Sequence, residues 1–131
     1  MRNVARAVAL AAVLLVAGCS LFRDSAVQVA KITSVVAPDT VHVDSAFHAT
    51  VTACLGPNSG YVLDRFEVGN SDGVLTVQAW SRFECEDGHT YEVVTYEDLG
   101  VEVTPEEPGE FRIIAIQPDG RDTLRTITVL P

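Results

Sequence analysis

Downstream of residue 27, apolar and polar residues alternate along much of the chain, which is the pattern of half-buried β-strands. The clearest case is residues 45–55, where every second residue from Phe47 to Leu55 is apolar and most of the residues between them are polar. No stretch longer than a few residues repeats at the 3.6-residue period of a helix. The pattern therefore predicts an all-β domain.

Turn residues divide this region into strands. Gly, Pro, Asn and Asp cluster between the apolar runs, and such clusters favour reversals of the chain. The tripeptide Pro118-Asp119-Gly120, for example, predicts a hairpin between the last two strands. We expect seven or eight strands, drawn from residues 28–37, 40–43, 45–55, 61–68, 74–85, 90–96, 101–103, 110–117 and 123–130, with 40–43 and 101–103 as short segments.

The spacing of these strands is typical of a sandwich, and the domain, residues 27–131, resembles an immunoglobulin-like module. The run Pro-Gly-Glu-Phe at 108–111, followed by a hairpin, is similar to the last two strands of many bacterial immunoglobulin-like modules. The resemblance implies a single antiparallel β-sandwich. Cys54 departs from it, because this residue is out of phase with the apolar face of its strand.

Residues 1–18 have the layout of an export signal. Arg2 and Arg6 precede an uninterrupted apolar run at 7–18. As a signal helix this run would be about 18 Å long, whereas the apolar core of a bilayer is about 30 Å thick. The run is therefore too short to span a membrane.

The end of this leader, Leu15-Val16-Ala17-Gly18-Cys19, resembles the lipobox of bacterial lipoproteins. The resemblance implies that cleavage leaves Cys19 first, carrying a diacylglycerol thioether and usually an N-acyl chain such as palmitate. Two or three acyl chains give stable membrane attachment. An ordinary secretory signal followed by a coincidental cysteine is the alternative.

The residues after Cys19 bear on localisation. Ser20 resembles the pattern of lipoproteins sent to the outer membrane of Gram-negative bacteria. In a cell with one membrane, the same anchor would hold the domain on the outer face of the cytoplasmic membrane. The predicted tether, residues 19–26, has seven residues after the cysteine and reaches at most about 25 Å. We therefore expect the domain to lie close to the bilayer of the cell envelope.

The charge of the chain excludes some partners. The whole sequence has a formal charge of −9, and removing the signal, with two arginines and no acidic residue, leaves −11. A domain this acidic has no excess of positive charge with which to attract phosphate groups. We expect neither nucleic acid nor anionic lipid as a direct ligand.

The cysteine count fits an exported protein. With Cys19 assigned to lipid, Cys54 and Cys85 remain as an even pair, and oxidising conditions outside the cytoplasm favour a disulfide between them. The bridge would close a loop of 32 residues, counted inclusively from 54 to 85, and stabilise the domain by about 3–4 kcal/mol. Because Cys54 is out of phase with the core, we expect the bridge at the rim of the sandwich.

Catalysis and metal binding find little support. There is no Gly-x-Ser-x-Gly motif, and His42 and His48 lie at predicted edge or polar positions, so we expect no enzyme. Cys54, Cys85 and His89 would form a zinc site without a fourth ligand. The acidic residues Glu84, Glu86 and Asp87, and the pair Asn70 and Asp72, fit turns better than calcium loops. The sole methionine, Met1, leaves no thioether copper site, and we expect no cofactor or metal.

Two features are candidate binding residues. In the loop 56–61, Asn58, Gly60 and Tyr61 resemble part of the Asn-Pro-Thr-Thr-Gly-Tyr loop with which chagasin-type inhibitors enter the cleft of cysteine proteases, but the other two inhibitor loops have no counterpart. Trp80 shares a phase with polar residues, so it is either an exposed binding anchor or a core residue in a strand whose phase slips at a bulge.

The sequence thus favours a membrane-anchored lipoprotein that displays a non-enzymatic immunoglobulin-like domain, with a binding or structural role toward an envelope protein or glycan. A protease inhibitor using the 56–61 loop is one alternative. A carrier of a small ligand or metal is another.

Overall fold

The computed structural model describes residues 27–84 and 91–131. These residues form nine β-strands and no helix, which confirms the predicted all-β fold. None of them therefore forms a helix able to span a membrane. The strands are β1 (Gln28–Val29), β2 (Lys31–Val36), β3 (Thr40–His42), β4 (Phe47–Gly56), β5 (Tyr61–Ser71), β6 (Val74–Phe83), β7 (Thr95–Val103), β8 (Gly109–Ala115) and β9 (Thr123–Leu130).

The strands form two sheets that pack face to face as a β-sandwich. Sheet 1 has six strands in the order β5-β6-β8-β9-β3, with β1 also paired to β6. Sheet 2 has three strands in the order β2-β4-β7. Strand β5 pairs along the whole of β6, while the other edge of β6 is shared. Its first half, Val74–Val77, pairs with β8, and its last part, at Trp80 and Ser81, pairs with β1.

Two of the strand pairs are parallel, whereas the sequence predicted an antiparallel sandwich. They are β6 with β8 and β3 with β9. The reason for the first is that β6 and β8 both begin at the same end of the sandwich, after the turn 71–73 and the corner 104–108 respectively. We call this the far end. The N-terminal end is the opposite one, which carries the start of β1, the loop 56–60 and the end of β6.

Two of the predicted strand assignments are wrong. The expected strand 28–37 is interrupted at Ala30, where the chain passes from sheet 1 to sheet 2. The expected strands 90–96 and 101–103 are replaced by the single strand β7, and Tyr91–Val94 lies outside any strand. The described residues contain nine strands, against the seven or eight expected.

The core lies between the two sheets and follows the predicted alternation. In β4 the odd-numbered residues from Phe47 to Leu55 are all buried. Their partners from sheet 1 include Val77, Ile113 and Ile127, each fully buried. Phe47 and Phe111 meet edge to face across the core, with ring centroids 5.8 Å apart. Burial of these apolar side chains is the main force that holds the sheets together.

A buried glutamine also joins the two sheets. Gln117, just after β8, directs its side-chain amide at the backbone of Ile32 in β2. Its Oε1 accepts a hydrogen bond from the Ile32 N–H at 2.9 Å, and its Nε2 donates to the Ile32 carbonyl at 2.7 Å. The amide therefore pairs with the free edge of β2 as a strand residue would, and satisfies backbone groups that would be costly to leave unpaired.

Candidate functional site

The N-terminal end of the sandwich brings four segments together. The start of β1 pairs with the last part of β6, and the loop 56–60 lies beyond the other edge of that strand. The Glu84 N–H donates to the Gly60 carbonyl at 2.7 Å, which fixes the loop to the end of β6. Ser59 then exchanges two hydrogen bonds with Tyr91: its N–H donates to the Tyr91 carbonyl at 3.0 Å, and the Tyr91 N–H donates to its Oγ at 2.7 Å.

The loop 56–61 is held by contacts within the domain. Asn58 Oδ1 accepts a hydrogen bond from the Gly60 N–H at 2.9 Å, which forms an Asx turn. The half-buried Tyr61 ring packs edge-on against Phe83, with centroids 5.3 Å apart. Asn58 and Tyr61, which resemble residues of an inhibitor loop, thus stabilise the loop 56–61 itself.

Gly56 allows the Tyr61 ring to lie directly over the backbone, so a side chain at position 56 should destabilise the domain. A Cβ at position 56 would lie 2.2 Å from Tyr61 Cγ, so Gly56→Ala must displace the ring. We expect a loss of about 1–3 kcal/mol in the free energy of unfolding, measured by urea titration. The control is Gly100→Ala in β7, where nothing lies within 4 Å of the added Cβ. Equal stability of the two variants would contradict the prediction.

Trp80 lies half-buried on the outer face of sheet 1, so the hypothesis that it is a core residue is wrong. The irregularity lies in the neighbouring strand β5, between Leu63 and Arg65. This bulge turns Arg65 to the outer face, where its guanidinium carbon lies 4.1 Å from the centroid of the Trp80 ring. The cation–π contact covers part of the indole, so Trp80 is neither core nor fully exposed.

Acidic residues near the end of β6 are paired with an arginine. Arg82 forms a salt bridge with Asp64 at 3.4 Å and a shorter one with Glu84. The hydrogen bond that it donates to Glu84 raises the pKa of Arg82 above its ordinary value. The carboxylate of Glu84 is therefore already paired with Arg82, which weakens the case for a calcium site here.

The segment from Tyr91 to Tyr96 presents an exposed apolar surface that sequence reasoning missed. Tyr91, Val93, Val94 and Tyr96 are 74%, 59%, 47% and 59% exposed. A regular strand over the predicted range 90–96 would place Tyr91 and Tyr96 on opposite faces, with only one of them pointing outward. The adjacent Val93 and Val94, which break the alternation, are the signal that this segment is not a regular strand.

The far end carries a cleft of about 340 Å³ between the turn 70–73 and the corner 104–108. Asp72 and Gly73 both have positive φ, 49° and 77°, as an Asp-Gly hairpin turn requires. Carboxylates line the cleft at Asp72, Glu106, Glu107 and Glu110. The hydrogen bond that Glu110 accepts from Arg112 lowers the pKa of Glu110 below its ordinary value. The cleft is open, polar and acidic.

The predicted histidine and cysteine positions are spread over the surface. His42 and His48 are exposed, on β3 and on the outer face of β4. Cys54 lies half-buried on the outer face of sheet 2, between Lys31 and Tyr96 in register, as its phase predicted. Across 27–84 and 91–131, no three His, Cys, Asp or Glu side chains are grouped to hold a metal ion.

Several predicted sites lie outside the described residues. They are the signal 1–18, Cys19, the tether 19–26, Cys85 and His89. The lipobox and the Cys54–Cys85 disulfide stay predictions of the sequence.

The chain has no significant match among protein-family models, curated proteins or solved structures. Its function is therefore inferred from its own residues and geometry.

Proposed function

We propose that this chain is the precursor of a lipid-anchored envelope protein whose immunoglobulin-like sandwich is a non-enzymatic binding module. Residues 15–19 support the anchor, because small residues precede Cys19 at the end of a leader too short to span a bilayer. The proposed mature protein places this sandwich next to the membrane, in the outer membrane if the cell has one.

The observation that carries the proposal is the direction in which the chain enters the sandwich. Gln28 pairs with Ser81 near the end of β6, whereas the cleft lies beside the start of the same strand, at Val74. Ten residues of strand span about 30 Å. An anchor upstream of residue 27 thus holds the N-terminal end near the bilayer and turns the far end outward.

The chemistry of the far end indicates the kind of partner. Of the four carboxylates in the cleft, Glu110 is paired with Arg112, and the other three form no ion pair with described residues. Their field favours a lysine- or arginine-rich protein segment over a nucleic acid or an acidic glycan. Association should then be faster at low ionic strength, since salt screens such steering.

The two alternatives have less support. The loop 56–61 is engaged in its own packing and lies at the N-terminal end, which the anchor would turn toward the bilayer and away from a protease. Small-ligand sites are mostly apolar pockets, whereas the space between the sheets is filled by Val51, Val77 and Ile113, and the cleft at the far end is open and polar.

The proposed disulfide agrees with the described neighbours of its two cysteines. Cys54 is two residues from Gly56, where the loop 56–60 begins. Glu84, which precedes Cys85, is hydrogen-bonded to Gly60 at the end of the same loop. Cys54 and the residue that precedes Cys85 thus both adjoin the N-terminal end, which supports a bridge at the rim as a proposal.

Intact-mass analysis of the native product tests the anchor. The expected chain begins at Cys19 with the mass of its acyl chains, and Cys19→Ser is expected to lack that mass. An uncut leader or an unmodified sulfur would overturn the proposal. Alkylation of the same sample, with and without reduction, shows whether the thiols of Cys54 and Cys85 are joined.

A photocrosslinking residue at Glu106, in the cleft, tests binding, with the same residue at Gln78 on the outer face of sheet 1 as control. We expect specific adducts from Glu106 alone. Reversing the charge of a neighbouring carboxylate, Glu107→Lys, should abolish the adducts from position 106. Glu97→Lys on β7 should leave them unchanged. Adducts of equal yield from both positions would contradict a far-end site.

A further inference from the structure

Exposed apolar side chains are concentrated at the N-terminal end of the sandwich. Nine large apolar residues are exposed within 27–84 and 91–131, and five of them lie at this end. They are Val27, Tyr91, Val93, Val94 and Tyr96. We call the last four the tyrosine–valine surface. Clustered exposed apolar residues of this kind mark an interaction surface more often than scattered ones do.

This surface lies where the chain leaves the described sandwich. The residues just after Val27 pair with the end of β6, and the same end of β6 holds the loop that is hydrogen-bonded to Tyr91. If Cys19 is lipidated, as the proposed function requires, only residues 20–26 separate the bilayer from Val27. That length reaches at most about 25 Å when extended and less in any other conformation.

We propose that the tyrosine–valine surface rests on the bilayer, with the tyrosine rings at the level of the lipid headgroups. Tyrosine suits that depth, because its ring is apolar and its hydroxyl remains in contact with water and headgroups. Val93 and Val94 add apolar area that lies just below the level of the headgroups. The tether keeps the local concentration of lipid high, so a surface too small to bind a membrane alone can still remain on it.

Charge at this end fits a bilayer contact made without electrostatic attraction. Asp64 and Glu84 are paired with Arg82. Among the described residues here that form no ion pair, the exposed Glu92 and Glu97 outnumber the exposed Lys31. An unpaired carboxylate disfavours anionic headgroups. The contact should therefore be as strong on phosphatidylcholine vesicles as on vesicles with added phosphatidylglycerol, or stronger.

The three tyrosines of the chain provide native probes of this contact. The lipidated protein is labelled with 3-fluorotyrosine and reconstituted into phosphatidylcholine vesicles, and the ¹⁹F signals are assigned with single Tyr→Phe variants. We expect a spin label on the lipid headgroup to broaden Tyr91 and Tyr96 strongly, and a soluble gadolinium chelate to broaden them less than it does without vesicles. The half-buried Tyr61 should respond less to both reagents.

Val93→Ser combined with Val94→Ser tests whether apolar contact causes the effect. In this variant the broadening of Tyr91 and Tyr96 by the lipid label should fall severalfold. Leu124→Ser, an exposed apolar residue on the outer face of sheet 1, should leave it unchanged.

Flotation of the vesicles separates the two ways of failing. Protein that floats with the vesicles but keeps Tyr91 and Tyr96 open to the soluble chelate is anchored and not docked, which would overturn this inference alone. Protein that does not float would overturn the anchor itself. Equal broadening in the double serine variant and the wild type would also overturn the proposed contact.

Discussion

Phe111→Ala is expected to lower the free energy of unfolding by about 3–5 kcal/mol, the usual cost of removing a buried aromatic ring. Phe111 lies in β8, is 4% exposed and meets Phe47 of β4 edge to face. The two rings belong to different sheets, so the substitution leaves a cavity at the contact that joins the layers. For a domain with a net stability of about 5–15 kcal/mol, this loss removes from about a fifth to all of that stability. Urea unfolding followed by circular dichroism measures the loss.

A double-mutant cycle isolates the ring pair from the cavity. Phe47→Ala and the double variant complete the cycle, and the coupling expected for an edge-to-face pair is about 0.5–1.5 kcal/mol. Leu124→Ala, at a side chain that is 57% exposed, is the control and should change stability by less than about 0.5 kcal/mol. A loss at Phe111 no greater than that at Leu124 would show that this contact does not hold the sheets together.

Gln117→Met is expected to cost about 2–4 kcal/mol, because it leaves the Ile32 N–H and carbonyl without their side-chain partner in a buried position. Methionine has a similar length and keeps most of the packing, so the loss reports the hydrogen bonds and not a cavity. Local opening should follow as well: amide exchange at Ile32 should accelerate more than exchange at Val51 in the adjacent strand.

The matched control is Gln78→Met on the outer face of sheet 1, where the side chain faces solvent. It should leave both the unfolding midpoint and the exchange at Ile32 unchanged. If the two methionine variants have equal stability, the Gln117 amide does not provide the link between β8 and β2.

Local patterns were sufficient for much of the fold. A strand has a side-chain period of two, so the apolar phase of β4 and the outward position of Cys54 could be predicted from the sequence. The Asp72-Gly73 and Asp119-Gly120 turns could be predicted as well, because glycine relieves the strain of positive φ. Each of these features depends on residues close together in the chain.

The remaining features depend on contacts between distant residues. The interruption at Ala30 arises because β1 occupies the part of the β6 edge that β8 leaves free, and nothing in residues 28–37 shows that edge. The parallel pairing of β6 with β8 likewise follows from the end at which the chain returns to sheet 1. At the site, the role of Gly56 depends on where the Tyr61 ring packs, and the exposure of Tyr91 depends on its hydrogen bonds to Ser59.

The position of β9 has a consequence for the timing of folding. This strand lies between β8 and β3, where Thr40 pairs with Thr128, and its Ile127 and Val129 complete the buried layer. A nascent chain that lacks residues 123–130 has an open sheet edge and an unfilled interior. Pairing of β9 with β3 joins residues far apart in the sequence, and closure of so long a loop is slow. Stable tertiary structure of the sandwich should therefore appear only after residues 123–130 are synthesised. For the exported precursor proposed above, late closure of the sheet would favour an unfolded, transport-competent state.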